Sequence, residues 1–310
     1  MTHNIFIDGA AGTTGLEIRE RLSGRDEFSL ILLDDAQRKD ADARAQAIND
    51  ADVVILCLPD DAAREAVSLI ANDRTKVIDA STAHRVAPGW TYGFPELIGH
   101  DRVAAATRIS NPGCYPTGFL ALIGPLVRAA ILPADWPLSV NAVSGYSGGG
   151  KSMIAEFEGE GGAPTAWRTY GLSLAHKHVP EMTMHAGLSV APIFAPSVTG
   201  LLRGMIVEVP LQLGAMPGKP SPEAIRECLA ATYAGSPIVQ VIDGYDASTL
   251  AIERRAGTDG MDLFIFANAD GSQARLVAAL DNLGKGASGA AVQNLNLICG
   301  LDEKAGLNLA

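Results

Sequence analysis

Aromatic side chains are scarce, at 5% of the 310 residues, so any core must be filled by Ala, Val, Leu and Ile, within a hydrophobic content of 47%. Cationic side chains are also in deficit: 24 Lys and Arg against 35 Asp and Glu leave a formal net charge of −11. A general nucleic-acid binder needs clustered Lys and Arg for phosphate contacts, so that class is disfavoured. A small anionic substrate needs only a local positive pocket and stays open. The four cysteines, Cys57, Cys114, Cys228 and Cys299, stand far apart with no paired spacing, which excludes a disulfide framework and a zinc ribbon. No apolar run reaches the roughly 18 residues that a membrane-spanning helix needs. The N-terminal Met-Thr-His-Asn-Ile-Phe-Ile-Asp-Gly enters a strand-like run without the basic region and apolar stretch of a signal peptide. A cytoplasmic enzyme with no membrane or nucleic-acid partner is the expectation. Internal repeats and low-complexity segments are also lacking.

What is present reads first as alternating β and α elements, which implies a parallel sheet covered by helices. Residues 4–8 form a short apolar strand that runs into a glycine loop and a helical pattern over 14–22. Further strands are expected at 28–33, 53–58 and 76–79, with helices near 40–48 and 61–70 between them. The texture changes after Asn111. A helix over about 116–131 precedes β-like runs at 138–144, 201–213, 238–242 and 262–268, which suggest a mixed or antiparallel sheet with inserted helices. Ser221 followed by Pro222 marks a helix start. The small-residue stretch 286–301 is helical by period and could return to the first domain.

The glycine loop Gly9-Ala-Ala-Gly12-Thr13-Thr14-Gly15 has the spacing G-x-x-G-x-x-G rather than the usual dinucleotide fingerprint. Its physical demand is the same: a tight turn, and a backbone that can approach a pyrophosphate at a helix N-terminus. Placed after the first strand of a βαβ pattern, it favours nucleotide binding over a plain turn. Asp34, at the end of the second strand, would suit a ribose hydroxyl pair and hence NAD. Arg38 and Lys39, just beyond it, would suit a 2′-phosphate and hence NADP. These cues conflict.

Cys114 lies in Ser-Asn-Pro-Gly-Cys-Tyr-Pro-Thr. Pro112-Gly113 forces a turn before it, and Pro116 suits the first turn of a following helix. A thiol there meets the helix N-terminus, where the dipole and open N–H groups favour thiolate and could form an oxyanion hole. A structural core cysteine would need neither flanking turn. That description suits Cys57, Cys228 and Cys299. A thiolate acting in acyl transfer also needs proton donors and acceptors. His176-Lys-His178-Val-Pro-Glu181 supplies two histidines and a carboxylate within six residues. Glu181 could orient one imidazole. His-x-His could also chelate a metal, but no further ligand stands nearby at the required spacing, so no metal is expected. His3, His84, His100 and His185 read as surface or packing residues. Ser144-Gly145-Tyr-Ser-Gly-Gly-Gly-Lys151 is a donor-rich loop capped by a cation, and Ser81 and Arg85 lie at the end of the fourth strand. Both runs suit an anionic substrate.

At this point the residues resemble a known family, the shorter variety of N-acetyl-γ-glutamyl-phosphate reductase, within the semialdehyde dehydrogenases. The resemblance runs in order through residues 9–15, 56–60, 79–85, 92–97, 110–117, 144–151, 176–182 and 285–296. It implies an α/β chain with a Rossmann-type NADP-binding domain, residues 1–112 plus about 286–310. An α+β catalytic and dimerisation domain with a mixed or antiparallel sheet would span 113–285, making a homodimer or homotetramer. It moves the cofactor expectation to NADPH, with Arg38 and Lys39 on the 2′-phosphate and Gly9, Gly12, Thr13, Thr14 and Gly15 at the pyrophosphate loop. Leu58, Pro59, Ser144, Gly145 and Asn282 are further expected cofactor contacts. The longer variety carries a different glycine loop, so the Thr13 and Thr14 contacts rest on the shorter variety alone.

The implied chemistry is attack of the Cys114 thiolate on a γ-acyl phosphate of N-acetylglutamate, loss of phosphate, and reduction of the thioester to the semialdehyde in arginine biosynthesis. His178 is the expected acid/base group, with His176 and Glu181 binding or orienting. Ser81, Arg85, Asn111 and Lys151 are the expected substrate and phosphate contacts. The nearest rival is aspartate-semialdehyde dehydrogenase, whose usual histidine context differs. Another acyl-phosphate reductase, acting on a carrier-bound aminoadipyl phosphate, and a catalytically silent dinucleotide-binding regulator are the remaining alternatives.

Overall fold

The computed structural model describes residues 2–34 and 36–310. In chain order the first stretch holds β1 (His3–Asp8), α1 (Thr13–Leu22), β2 (Phe28–Ile31), α2 (Ala41–Asp50), β3 (Val53–Leu56) and α3 (Asp60–Ser68). It continues with β4 (Lys76–Asp79), β5 (Thr91–Tyr92), α4 (Pro95–Ile98), α5 (His100–Ala104) and β6 (Arg108–Ser110). The middle holds α6 (Cys114–Arg128), β7 (Ser139–Gly145), α7 (Gly150–Glu158), β8 (Trp167–Thr169), α8 (Val179–Ala186) and β9 (Ile193–Thr199). After these come β10 (Met205–Leu211), α9 (Pro222–Thr232), β11 (Val239–Val241), β12 (Met261–Ala267), β13 (Ala274–Leu280) and finally α10 (Gly289–Ile298). The chain divides into two compact units, residues 1–112 with 287–307, and 113–286 with 308–310.

The first unit is built on a six-stranded sheet in the order β2-β1-β3-β4-β6-β5, every pair parallel. Its central strands are continuous apolar runs. Val53, Val54, Ile55 and Leu56 are all buried, as strands covered on both faces must be. One face packs α1 and α10, so that Ile5, Ile18, Ile55 and Ile109 share a core with Ala291, Val292, Leu295 and Ile298. The other face packs α2 and α3 through Ala47, Ile48, Ala63 and Ala66. Lys76 Nζ donates to the Ile298 carbonyl at 2.7 Å, closing the C-terminus of α10.

The second unit is built on a seven-stranded mixed sheet in the order β11-β12-β13-β10-β7-β9-β8. β7 and β9 are parallel, as are β11 and β12, and the remaining neighbours are antiparallel. β10 alternates buried and half-exposed residues, the signature of a sheet with one covered face. α6 covers that face and is buried almost throughout. Gly118 lets it approach closely, because a Cβ there would come within 2.8 Å of the Val207 side chain. α9 starts at the expected N-cap, where Ser221 Oγ accepts from Ala224 N at 3.1 Å.

No sequence expectation covers β5, β6, β8 or β9, and two further differences have a clear physical reason. The run 201–213 is not one strand: Gly204 takes φ +108, a conformation foreign to side-chain-bearing residues, and residues 201–204 become a turn before β10. β13 was not expected, because Ala-Arg-Leu-Val-Ala-Ala-Leu lacks polar alternation. Buried between β12 and β10, it needs none.

Candidate active site

In the first unit the loop after β1 is shaped by steric demand. Gly9 has φ +89, and a Cβ on it would overlap the Cys57 carbonyl at the end of β3. A Cβ on Gly15 would come within 2.5 Å of the Gly9 carbonyl. Gly12 N donates to that carbonyl at 2.9 Å, closing the turn that starts α1 at Thr13. Thr13 Oγ1 is buried with no hydrogen-bond partner, a costly state for a hydroxyl unless a ligand or water meets it. Thr14 follows on the same turn. A cavity of about 250 Å³ opens beside the loop, lined by Gly9, Ala10, Ala11, Leu32 and Arg38 among others. An orphaned hydroxyl, a glycine cradle and a helix N-terminus fit a phosphate-bearing dinucleotide.

Asp34 does not reach out as a free carboxylate. Its Oδ1 accepts from Ala36 N at 2.9 Å and Gln37 N at 2.8 Å, supporting the 3₁₀ turn Gln37–Lys39. That turn presents Arg38 and Lys39 on the exposed rim. Leu58 and Pro59 follow β3, with Pro59 as the N-cap of α3.

At the end of β4 the fully buried Asp79 accepts from Ser81 N and Ser81 Oγ, each at 2.8 Å, and pairs with His84 Nδ1 at 2.6 Å. His84 stacks on Trp90 with centroids 4.0 Å apart. Arg85 is buried, with Nε donating to the Asn111 carbonyl at 3.0 Å and Nη2 to the Ala80 carbonyl at 3.1 Å. Asn111 in turn donates N to the Asp79 carbonyl and Nδ2 to the Ala287 carbonyl, while Oδ1 accepts from Asn294 at 3.1 Å. Arg85 and Asn111, read from sequence as phosphate contacts, are thus bonded to each other and to the framework of the first unit.

In the second unit Cys114 is half-buried and is the first residue of α6, with Gly113 as N-cap in extended conformation. Glu181 Oε1 accepts from Gly113 N at 2.8 Å, so the carboxylate grips the turn before the thiol. Sequence reasoning had it orienting an imidazole. His178 caps α8, whose first turn holds Pro180 and Glu181. Its backbone N–H donates to His176 Nδ1 at 3.2 Å, and the two rings meet edge-on at 4.7 Å. Burial, then the Lys177 ammonium, lower the His176 pKa from its usual 6.5.

Three aromatics enclose this pair. Tyr115 lies 5.9 Å from His178, Phe194 lies 5.1 Å from both Tyr115 and His176, and Tyr170 lies 5.8 Å from His176. Tyr115 Oη donates to the Ser197 carbonyl at 3.1 Å and receives the Tyr170 hydroxyl at 3.0 Å. Burial pushes Tyr115 well above the usual phenol range and Tyr170 up to about 12, so both stay neutral donors near neutrality. Sequence reasoning missed Tyr170 and Phe194, which lie far from any motif and gain meaning only through the fold.

The loop after β7 is fixed rather than open. A Cβ on Gly145 would press within 2.6 Å of the Leu202 carbonyl. Asn282 Oδ1 accepts from Gly204 N at 3.1 Å and its Nδ2 donates to Ser147 Oγ at 2.8 Å. Ser144 is buried, its hydroxyl donating to the Gly145 carbonyl at 2.9 Å. Lys151 stands exposed on α7. Among the described residues no three metal-ligating side chains converge, and no helix is long and apolar enough to cross a membrane.

Known proteins match this arrangement. Residues 33–105 fit the family model described as semialdehyde dehydrogenase, NAD binding domain, and residues 114–282 fit its dimerisation domain. The chain is 52% identical to N-acetyl-gamma-glutamyl-phosphate reductase 2 of Pseudomonas putida, covering 96% of each chain. It is 52% identical to the N-acetyl-gamma-glutamyl-phosphate reductase of Brucella ovis, over 97% of this chain and all of the relative. Among solved structures, aspartate semialdehyde dehydrogenase II of Vibrio cholerae, complexed with ASA, superposes with a TM-score of 0.70 over 96% of this chain and 98% of that one, at 17% identity. The Francisella tularensis aspartate semialdehyde dehydrogenase gives 0.71 at 14% identity, over 96% of this chain and all of its own. At such identities the likeness is one of fold.

Proposed function

The chain belongs to the N-acetyl-γ-glutamyl-phosphate reductase family, and we propose that it reduces N-acetyl-L-glutamyl 5-phosphate to N-acetyl-L-glutamate 5-semialdehyde and phosphate, in the cytoplasm, as a step of arginine biosynthesis. The observation that carries the mechanism is Cys114 at the N-terminus of α6, with its preceding turn gripped by Glu181 from the helix that begins at His178.

Cys114 Sγ attacks the acyl carbon. The C–O bond to phosphate breaks, and a thioester remains on Cys114 as phosphate leaves. Open N–H groups of the first turn of α6 face the oxygen that gains charge. Bound NADPH would supply the hydride, and His178 the proton it took from the Cys114 thiol as Sγ attacked, that together convert the thioester to a thiohemiacetal. Its pyrophosphate suits the loop Gly9–Gly15 and the Thr13 hydroxyl, its 2′-phosphate suits Arg38 and Lys39, and Leu58, Pro59, Ser144, Gly145 and Asn282 complete the expected cofactor set. His178 removes the thiohemiacetal proton, the C–S bond breaks, and the proton returns to the thiolate as the aldehyde departs. His176 takes a binding role: its Nδ1 is spent on His178 N–H, so the neutral ring presents Nε2–H as a donor. Ser81, Arg85, Asn111 and Lys151 are the candidate substrate and phosphate contacts.

The dimerisation-domain match and the half-exposed alternate residues of β10 support a homodimer or homotetramer formed through the second unit. The decisive assay compares Cys114→Ser with the parent in NADPH oxidation and in direct NADPH binding. Turnover falls at least about a thousandfold while binding persists; retained turnover sinks the thioester mechanism. Running the phosphate-dependent reverse reaction with both semialdehydes tests the substrate, and equal or better use of aspartate semialdehyde overturns that assignment.

A further inference from the structure

Cys114 has a neighbour that comes from no motif of the acyl-transfer chemistry. Residues Gly284–Ser288 form a π-helical turn just before α10, a geometry that often marks functional sites. Within it, a Cβ on Gly286 would fall 2.9 Å from both the Asp281 carbonyl oxygen and Cys114 Cβ, and 3.3 Å from Cys114 Cα. Real Cβ atoms do not approach so closely, so a methyl group here must move either the turn or the cysteine.

The turn is held from its far side. Gly286 N donates to the Asp281 carbonyl at 3.0 Å. The fully buried Asp281 carboxylate accepts from Leu283 N at 2.7 Å, Gly284 N at 2.8 Å and Gly257 N. Asn282 is clamped between Gly204 and Ser147. A Cβ on Gly284 would overlap the Thr258 carbonyl, so the turn already lies in backbone contact behind. It has no room to retreat, and the partner that yields is Cys114, whose side chain is only half-buried.

We propose that Gly286 is a positioning residue for Cys114: the bare backbone of the π turn is the wall that fixes the direction of the Cys114 Cα–Cβ bond, and with it the line along which Sγ meets an acyl carbon. The proposal rests on Cys114 being the nucleophile. It predicts an effect on the thiol itself, whatever substrate is used. A misplacement of the order of 1 Å at a reacting atom costs about a hundredfold in rate, so even partial displacement is measurable.

The test is Gly286→Ala in the full chain. NADPH affinity and substrate KM stay within about threefold, while kcat falls at least about tenfold. Iodoacetamide then reports the thiol without substrate. Burial pushes Cys57 up to about 12, Cys299 up to about 11 and Cys228 upward, and peptide mapping reads the label on Cys114 itself. Its modification rate changes several-fold in the variant. Adding Cys114→Gly removes the Cβ that the methyl group meets on one side and leaves the Asp281 carbonyl on the other, so the double variant loses less thermal midpoint than the sum of the two single variants. Unchanged kcat and modification rate, or additive thermal losses, overturn the proposal. If Gly286→Ala alone does not fold, a folded double variant supports the wall and an unfolded one overturns it. Loss of the thioester mechanism would show separately, as turnover by Cys114→Ser.

Discussion

His176 shows how much one side chain can be constrained by its surroundings. Its Nδ1 accepts a backbone N–H, and burial with the adjacent Lys177 lowers its pKa. A histidine whose folded pKa lies below the unfolded 6.5 binds fewer protons when folded. Stability then rises with pH through that window and is lost as pH falls below about 6.5 towards the folded value. Thermal midpoints at pH 7 and pH 5 should therefore fall less in His176→Asn than in the parent. An equal or larger fall in the variant contradicts the protonation state assigned here. The histidines and Cys114 were readable from spacing and turn chemistry, because both depend on neighbours within a few residues. Tyr170 and Phe194 were not, since their meaning comes from β8, β9 and the loops that bring distant residues together. Arg85 shows the limit of residue-type reasoning: its guanidinium suits phosphate, yet two of its donors serve main-chain carbonyls.

At the scale of elements, the short turn Gln37–Lys39 illustrates support at one remove. Asp34 invites an assignment to a ribose by its place after β2, but its carboxylate caps the turn that carries Arg38 and Lys39. Removing a cap of this kind costs about 1 kcal/mol, or roughly fivefold in an equilibrium constant. Asp34→Ala should raise KM for NADPH by about that factor and leave KM for NADH nearly unchanged. A selective loss of NADH use would instead return Asp34 to the ribose. The parallel sheet was legible because its strands are buried on both faces and separated by helices of clear period. The second sheet was less so. Its turn at Gly204 depends on one backbone angle, and the alanines of β13 are as compatible with a helix as with a strand until β10 and β12 flank them.

At the scale of the whole molecule, the first unit is completed by the end of the chain. Leu295 on α10 is fully buried in the core shared by β1, β3 and β6. Leu295→Ala should lower unfolding stability by about 2–5 kcal/mol, measured by denaturant titration, and a loss under about 1 kcal/mol would show that α10 is not part of that core. The contribution of this helix also has a temporal side. During synthesis, residues 1–112 leave the ribosome with one face of their sheet only partly covered, and the helix that completes it follows more than 170 residues later. The second unit, continuous from 113 to 286, can close in the meantime. A nascent chain interrupted before residue 287 would carry a second unit complete but for its last three residues, joined to an unfinished nucleotide fold whose apolar face is only partly covered. Such a fragment is a natural client for chaperones and proteases, so truncated products should be cleared rather than accumulate.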